Sequence, residues 1–565
     1  MIDINFLGTS ISKRLPEHIL VAKTIDQVKP ILEEVESYWQ RGYYAVGYVS
    51  YEASPAFDPN LIIHSNPRLP LIWFAVFQTP DTEKVRSSFA YQVGNWQADC
   101  TEGEYEKAIG AIHAAIGRGD TYQVNHTIRM HADFEGDTWS YYQHLSRLQP
   151  GYNAYLDLGV HQLLSLSPEL FFRWEKDKLI TRPMKGTAKR GRSEQEDIFR
   201  AAQLLDSTKD RAENLMIVDL LRNDLGKIAV PGSVHVPSLF AIEKYPTVWQ
   251  MTSTIEAITP PESSLSDIFT ALFPCGSITG APKRKTMELI RSLEQSPREA
   301  YCGTIGYLKP GGEAVFNVAI RTVVVDQEQK KATYGVGGGI TWDSTSGGEY
   351  EEVITKAKIL ESKPFSHQLL ESIRLENGTY TLLEEHIARM RESASYFGFP
   401  FSEQAIRQQL KDLAKQYPGD IYKVRLLLSS LGRLEVMVES LKEIVQPVNV
   451  TLATDFVSSD DIFLYHKTTE RQIYEERRVD GFFDTLLWNE RGELTEFTIG
   501  NVVVEIDGKL VTPPQESGLL AGTMRKELLE KGEIEERIIY KMELSNATSI
   551  WLINSVRGWV KVELK

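Results

Sequence analysis

The 565 residues predict a mixed α/β (α+β) chain built as two large units. Three observations carry that expectation. Strand-length apolar runs and helix-period runs interleave along the whole chain. That pattern stops at 361–366, ESKPFS, and a fresh one starts after it. The length exceeds what one ordinary hydrophobic core organises. With 42% hydrophobic and 25% charged residues, the composition is that of a globular chain that needs no disulfide or metal staple.

The elements follow in order. Val28, Ile31, Leu32 and Val35 place one apolar face on a helix over 25–40. Runs at 43–51 and 71–78 have the length and aromatic content of strands. A helix over 102–118 is opened by Thr101 as N-cap, with Glu104 three residues on completing a capping box. Residues 122–132 alternate as a strand. From 195 to 225 the spacing of Leu204, Leu205, Met216, Leu220 and Leu221 is helical. Strands are expected at 301–308, 315–325 and 332–336, then a glycine-rich turn over 335–339 and a helix over 348–362 stopped by Lys363-Pro364. Beyond the boundary come a strand at 368–375, a turn at 376–378 and a helix at 382–397.

Charge and cysteine content exclude several functions. Lys and Arg number 62 against 77 Asp and Glu, a net charge of −15, so a nucleic-acid backbone binder is not expected. The three cysteines, Cys100, Cys275 and Cys302, form no CxxC and no zinc-spaced cluster. Their scarcity and the absence of a leader-like start point to the cytoplasm. No apolar run has membrane-spanning length, so no membrane partner is expected.

Four stretches of the first unit carry more chemistry than a core needs: Ser167-Pro168-Glu169, Arg182–Thr187, Ala212–Asp224, and Tyr334–Ile340 with Glu349–Glu352. Glu349 and Glu352, three apart, share a helix face. With Glu213 they supply hard oxygen donors of the kind magnesium takes, although a solvated helix face is the plainer account of such a pair. The glycine run is neither a GxGxxG fingerprint nor a P-loop. It serves either a close backbone approach to an anion or simply a tight turn.

Together with Phe273–Lys283, Tyr301–Gly303 and Phe316–Arg321, these stretches resemble the chorismate-utilising enzymes over about residues 40–360. Anthranilate synthase large subunits, isochorismate and salicylate synthases and aminodeoxychorismate synthase component I belong to that group. The resemblance implies a large α/β sandwich built on two antiparallel sheets. It implies Mg2+ held by Glu213, Glu349 and Glu352 against the ring carboxylate of chorismate. Tyr301, Arg321 and the backbone at Gly335, Gly337 and Gly338 would hold the enolpyruvyl carboxylate, with Gly186 and Thr187 also touching substrate. Glu169 matches the general acid at the C4 hydroxyl. Lys185 matches the lysine of the aminodeoxychorismate synthases, whose amine attacks C2 before ammonia adds at C4; anthranilate synthases carry alanine there. Gln123 stands where water-adding relatives place a lysine base. Gln250 stands where most amine-adding relatives carry histidine, and a regulatory tryptophan site is not assumed. No glutaminase motif is present, so ammonia would come from solution or from a separate glutaminase subunit.

The last 200 residues carry Lys467, Glu496 and Ala521–Thr523 in order, with Arg389 upstream. Pyridoxal phosphate needs a lysine for its aldehyde, an acid at its pyridine nitrogen and a helix start for its phosphate. The set resembles the class IV pyridoxal-phosphate family of branched-chain and D-amino-acid aminotransferases and aminodeoxychorismate lyase, over about 367–560. It implies a smaller fold-type IV domain that binds pyridoxal 5'-phosphate through Arg389, Lys467, Glu496, Gly522 and Thr523, and a homodimer formed through that domain. The expected organisation is therefore 1–360 for chorismate amination, 361–366 as linker and 367–565 for the lyase. The two steps would yield 4-aminobenzoate for folate synthesis. Three alternatives stay open: an aminotransferase-like second domain, a non-catalytic one, or an anthranilate synthase-like first domain.

Overall fold

A computed structural model describes residues 1–82, 89–245, 248–361 and 367–565. The chain divides into two compact units, Met1–Lys189 with Ala201–Pro364, and Arg190–Arg200 with Phe365–Lys565. Apart from Glu361, the expected linker lies outside the described residues, as does the Lys363-Pro364 stop.

In the first unit two ten-stranded sheets are paired antiparallel throughout. One runs from Gly280–Ala281 through Gln123–Gly136, Lys331–Ile340 and Thr322–Asp326 to Ile2–Phe6 and Thr9–Lys13. The other runs from Met184–Lys189 through Val248–Ile258, Lys178–Arg182 and Leu170–Glu175 to His18–Ala22. Ile4, Phe6, Leu156 and Leu163 of the first interleave with Tyr48, Trp73, Phe77 and Ile305 of the second, which makes a sandwich. Helices cover both outer faces. Val28, Leu32 and Val35 of Ile25–Gln40 and Ile217, Val218 and Leu221 of Thr208–Gly226 pack on one sheet. Ile109 and Ile112 of Glu102–Gly117 and Val353 of Ser346–Ala357 pack on the other. The Thr101–Glu104 capping box forms, with both reciprocal bonds made.

The structure corrects three local expectations. Gly335–Gly339 is not a turn; it lies inside the Lys331–Ile340 strand, in unbroken register with Gln123–Gly136. The strand expected at 315–325 is two, Glu313–Asn317 and Thr322–Asp326, parted where Arg321 takes φ 51°. The helical run of 195–225 is also two elements, Glu194–Asp206 and Thr208–Gly226, because the Ser207 side chain caps the second by accepting from Asp210 N.

In the second unit a four-stranded sheet, with Leu369–Glu376 and Ile421–Leu428 at its centre, is backed by helices Leu383–Phe397 and Glu403–Gln416. Beside it an eight-stranded mixed sheet closes on itself through pairing of Leu494–Phe497 with Gly500–Ile506, a barrel filled by Val450, Leu486, Phe497, Val502 and Leu552. Arg190–Arg200 joins this unit, which the sequence division did not separate out. Arg190 pairs with Asp197 at 2.6 Å and lies 4.3 Å from the Tyr396 ring centroid. Among the described residues no helix is long and apolar enough to cross a membrane.

Candidate functional site

Two cavities collect the chemistry. The first, about 430 Å³, lies in the first unit. Glu169, Lys185, Gly186, Thr187, Glu213, Tyr301, Arg321, Gly335, Gly337, Gly338, Glu349 and Glu352 all line it.

Lys185 reaches the cavity through a β-bulge. Opposite the Val248–Ile258 strand, Met184 pairs with Thr252 and Thr187 with Gln250, so Lys185 and Gly186 together face Met251 alone. Gly186 takes φ +95°, a conformation a side chain resists. Two amides hold the carbonyls that the bulge frees. Asn214 Nδ2 donates to Lys185 O at 3.2 Å, and its own oxygen accepts from Ser253 Oγ at 2.6 Å. Gln250 Nε2 donates to Gly186 O at 3.0 Å while its oxygen accepts from Thr187 Oγ1 at 3.1 Å. Gln250 thus supplies one donor and one acceptor from a group that does not titrate. Replacing Gln250 with leucine is expected to lower kcat for the first unit's reaction about tenfold while thermal unfolding moves little, because a loosened bulge misplaces the amine. Unchanged kcat in a folded variant would remove the clamp.

The glycine strand forms the cavity floor, and each glycine is there for space. A Cβ on Gly335 would sit 2.2 Å from Tyr301 Cδ1, and one on Gly337 2.1 Å from His126 O. One on Gly338 would lie 3.0 Å from Glu349 Oε2, and one on Gly339 2.1 Å from Gln123 Nε2 and 2.8 Å from Lys185 Nζ. Lys185 and the buried Gln123 side-chain amide, which has no hydrogen-bond partner among the described residues, therefore converge on one backbone position.

Electrostatics differentiate the groups. Desolvation holds the Lys185 amine below its usual range, against the pull of Glu213 and Glu169. Glu169 is 3% exposed. Burial pushes its carboxyl up to about 7, although a Ser277 hydrogen bond and the Lys185 charge work the other way. Its Oε1 has no hydrogen-bond partner among the described residues. Arg321 loses solvation and has no acid partner among the described residues; it donates to Gln149 Oε1.

The three candidate metal acids share the cavity, but among the described residues no three acid, cysteine or histidine side chains converge as a ligand cluster. Glu349 accepts from Ser344 Oγ at 2.6 Å, Glu352 pairs with Lys356 at 2.7 Å, and Glu213 stands 4.0 Å from Lys209. Burial raises Glu213 and Glu349, and repulsion from Glu349 and Glu352 respectively adds to it. Burial opposes the charge of Glu352, yet Lys356 and Lys185 hold its carboxyl below the usual range. Their donor chemistry is of the kind magnesium takes, while Glu352 is already matched by Lys356. Ser277, Asn214 and Lys356 were not singled out in the sequence, and Gln250 was named there only as a departure from histidine; the contacts of Ser277, Asn214 and Gln250 at the site are to residues distant in the chain.

The second cavity, about 290 Å³, lies in the second unit and is lined by Arg389, Lys467, Glu496, Gly522 and Thr523. Desolvation, then the Arg389 charge, brings Lys467 down to about 8. Burial raises Glu496 to about 7 against hydrogen bonds from Tyr474 Oη at 2.8 Å and Leu520 N at 3.1 Å. A Cβ on Gly522 would fall 2.0 Å from Asn501 Oδ1, so the chain is drawn in tightly where the Thr523–Glu530 helix begins. A depressed lysine, a buried acid and a helix start around one cavity fit pyridoxal phosphate. Arg389 borders the cavity but spends its guanidinium elsewhere. Nε and Nη2 donate to Glu371 at 2.8 and 2.6 Å, and Nη1 donates to Ala521 O at 3.1 Å. Burial opposes the charge of Glu371, yet Arg389 and His386 hold it at about 2. Arg389 thus orders the backbone leading into the helix. The sequence offered Glu371 only as part of the strand at 368–375.

Comparison with known proteins assigns each region. Residues 78–362 match the family described as chorismate binding enzyme, and residues 368–564 match amino-transferase class IV. Aminodeoxychorismate synthase component 1 of Salmonella typhimurium is 45% identical over 262 residues, 46% of this chain and 57% of that protein. The Escherichia coli protein of the same name is 43% identical over 263 residues, covering 46% and 58%. Anthranilate synthase component 1 of Aquifex aeolicus is 37% identical over 267 residues, covering 47% and 54%. The chain thus spans little more than half the length of these relatives. The crystal structure of anthranilate synthase component I from Streptococcus pneumoniae superposes with a TM-score of 0.54 at 23% identity, over 63% of this chain and 93% of that one, which shows a shared fold.

Proposed function

The chain belongs to the chorismate binding enzyme family, and from that premise we propose that it makes 4-aminobenzoate in two steps. The first unit converts chorismate and ammonia into 4-amino-4-deoxychorismate and water. The second eliminates pyruvate from that product. The observation that carries the reading is Lys185 standing in the first cavity against Gly339, its amine held below its usual range by desolvation although Glu213 and Glu169 both pull the other way. A separate glutaminase subunit supplies the ammonia in this reading.

In the first cavity Arg321 offers a guanidinium, without an acid partner among the described residues, to the enolpyruvyl carboxylate, and Tyr301 lines the same cavity. Glu213, Glu349 and Glu352 would hold Mg2+, which supplies positive charge for the ring carboxylate. The Lys185 amine attacks C2 as the C4 hydroxyl departs with a proton from Glu169. Ammonia then adds at C4, the C2–N bond breaks, and the amine returns. Gln123 has no group that accepts a proton from water, which disfavours hydroxylation at C2.

Glu169 must be protonated to act, and its carboxyl ionises at about 7. Amination is therefore expected to fall as pH rises through about 7. It should also fall at lower pH as the Lys185 amine takes up a proton. In Glu169→Gln the rate is low throughout and the alkaline limb is gone; an alkaline limb that survives would move the acid role elsewhere.

In the second cavity bound pyridoxal phosphate would supply the electron sink for the pair left when a substrate proton is removed. Lys467 Nζ, at about 8, both holds the cofactor and moves that proton. Glu496 would face the pyridine nitrogen, and the start of the Thr523–Glu530 helix would receive the phosphate.

The test is to incubate the full chain with chorismate, an ammonium salt, magnesium and pyridoxal phosphate and separate the products. 4-Aminobenzoate is expected. Anthranilate as the main product would overturn the reading, and amino-acid-dependent conversion of the cofactor to its amine form would make the second unit a transferase.

A further inference from the structure

A buried imidazole touches the wall of the second cavity, and the chemistry above does not use it. His386 stands on the Leu383–Phe397 helix three residues before Arg389, and both side chains reach Glu371 on the Leu369–Glu376 strand. The His386 side chain is 1% exposed. Its Nδ1 lies 2.6 Å from Glu371 Oε2. Its Nε2 lies 2.9 Å from Ser555 Oγ and 3.4 Å from Thr523 Oγ1. Ser555 and Thr523 both line the cavity, and Thr523 opens the helix whose start would receive a phosphate. The ring therefore joins a buried carboxylate to two hydroxyls at that position.

The protons on the ring decide what those hydroxyls can offer. Burial opposes the charge of Glu371, yet Arg389 and His386 hold it at about 2, so it is ionised and only accepts. Nδ1 therefore carries a proton and donates to it. In the neutral ring Nε2 is then an acceptor, and Ser555 Oγ donates to it. That bond spends the serine proton on the ring and leaves oxygen lone pairs for the cavity. A phosphate dianion needs donors. A second proton on the ring reverses the bond: Nε2–H donates to Ser555 Oγ, and the serine O–H is free to donate into the cavity. Desolvation is the largest influence on His386 and holds the imidazole below its usual range. Glu371 pulls the other way, and the Arg389 and Lys467 charges add to the lowering. A dianion against Ser555 and Thr523 tips this balance toward the charged ring.

We propose that His386 is a positioning residue for a phosphate group in the second cavity: it takes one proton from solvent as the phosphate binds, and so turns the Ser555 hydroxyl into a donor. This rests on the second cavity taking the phosphate of pyridoxal phosphate, as proposed above, and is independent of the reaction that follows. Thr523, farther from the same nitrogen, keeps its hydroxyl for the phosphate in either state of the ring.

The experiment titrates inorganic phosphate into the full chain freed of cofactor, as wild type, His386→Gln and Ser555→Ala. Calorimetry in two buffers of different ionisation enthalpy counts the protons taken up on binding. Lys467, at about 8, adds an uptake of its own to every protein, so the difference between them is the readout. Near neutral pH the wild type is expected to take up about one proton more per site than His386→Gln. It should also bind phosphate about tenfold more tightly. Ser555→Ala keeps the ring and breaks its link to the cavity, so affinity and the extra uptake should fall together. At saturating pyridoxal phosphate the visible absorbance of the lysine-linked cofactor should match wild type, which shows that each variant keeps its cavity. Equal proton uptake in wild type and His386→Gln would overturn the proposal, because the proton would then belong to the phosphate or to Lys467. Full uptake in Ser555→Ala with unchanged affinity would overturn it as well. A wild type that binds neither phosphate nor pyridoxal phosphate would remove the cofactor reading and the proposal together, whereas binding without the extra uptake would remove the proposal alone.

Discussion

Replacing Lys185 with alanine is expected to lower amination of chorismate about a thousandfold, a loss of ~4 kcal/mol of transition-state stabilisation. The amine has no hydrogen-bond or ion-pair partner among the described residues, so little of the fold depends on it. What it has is position. The bulge of Met184–Lys189 turns it to the cavity floor, Gly339 gives it room, and desolvation keeps a larger share of it uncharged than an exposed lysine would have. Arginine at this position keeps the charge but offers no nucleophile, so Lys185→Arg should be as inactive as Lys185→Ala. The two variants together separate a covalent role from electrostatic help. Product separation by chromatography reads the loss, and circular dichroism reads the fold. Activity restored by arginine would replace the covalent route with simple charge stabilisation. Because the lysine charge lowers Glu169, its removal should also push that carboxyl further up.

Residues near one another in sequence were the legible ones. The capping box at Thr101 and Glu104 depends on neighbours three apart, and a local pattern shows it. The antiparallel sandwich, and the grouping of each set of residues around one cavity, followed ordered motifs rather than periodicity. The glycine run shows where local reading stops. Gly335, Gly337 and Gly339 suggested a turn because glycine is usual in turns, yet their φ angles are ordinary for a strand. Their need for glycine comes from Tyr301, His126, Gln123 and Lys185, which only the folded sheets bring against them. Gln250 and Asn214 were opaque for the same reason: what they hold is a bulge, and a bulge exists only relative to its partner strand. Arg389 was recognised by motif, but its occupation by Glu371 depends on a strand eighteen residues away in sequence. Arg321 marks the opposite case. The left-handed backbone that parts Glu313–Asn317 from Thr322–Asp326 was hidden inside a continuous apolar run, although the residue itself was not.

Replacing Lys467 with alanine should leave amination intact and cut 4-aminobenzoate release about a thousandfold, so that aminodeoxychorismate accumulates. The expectation follows from a single nitrogen serving two purposes. Burial beside Arg389 brings Lys467 down to about 8, close enough to neutrality to bind an aldehyde and to exchange a proton. Glu496, at about 7, lies in the same cavity, and the lysine charge is one of the influences that lower it. Loss of the lysine therefore removes the proton carrier and leaves the acid still harder to ionise, which weakens its hold on the pyridine nitrogen as well. Visible absorbance of the lysine-linked cofactor should vanish in the variant. A small primary amine added in solution should restore part of the release, because it replaces the nitrogen without repairing any packing. Rescue of that kind distinguishes a chemical role from a structural one, since no soluble amine refills a collapsed core. Release of 4-aminobenzoate at the wild-type rate, in a preparation shown free of other lyases, would make the second unit a passenger and place the elimination outside this chain.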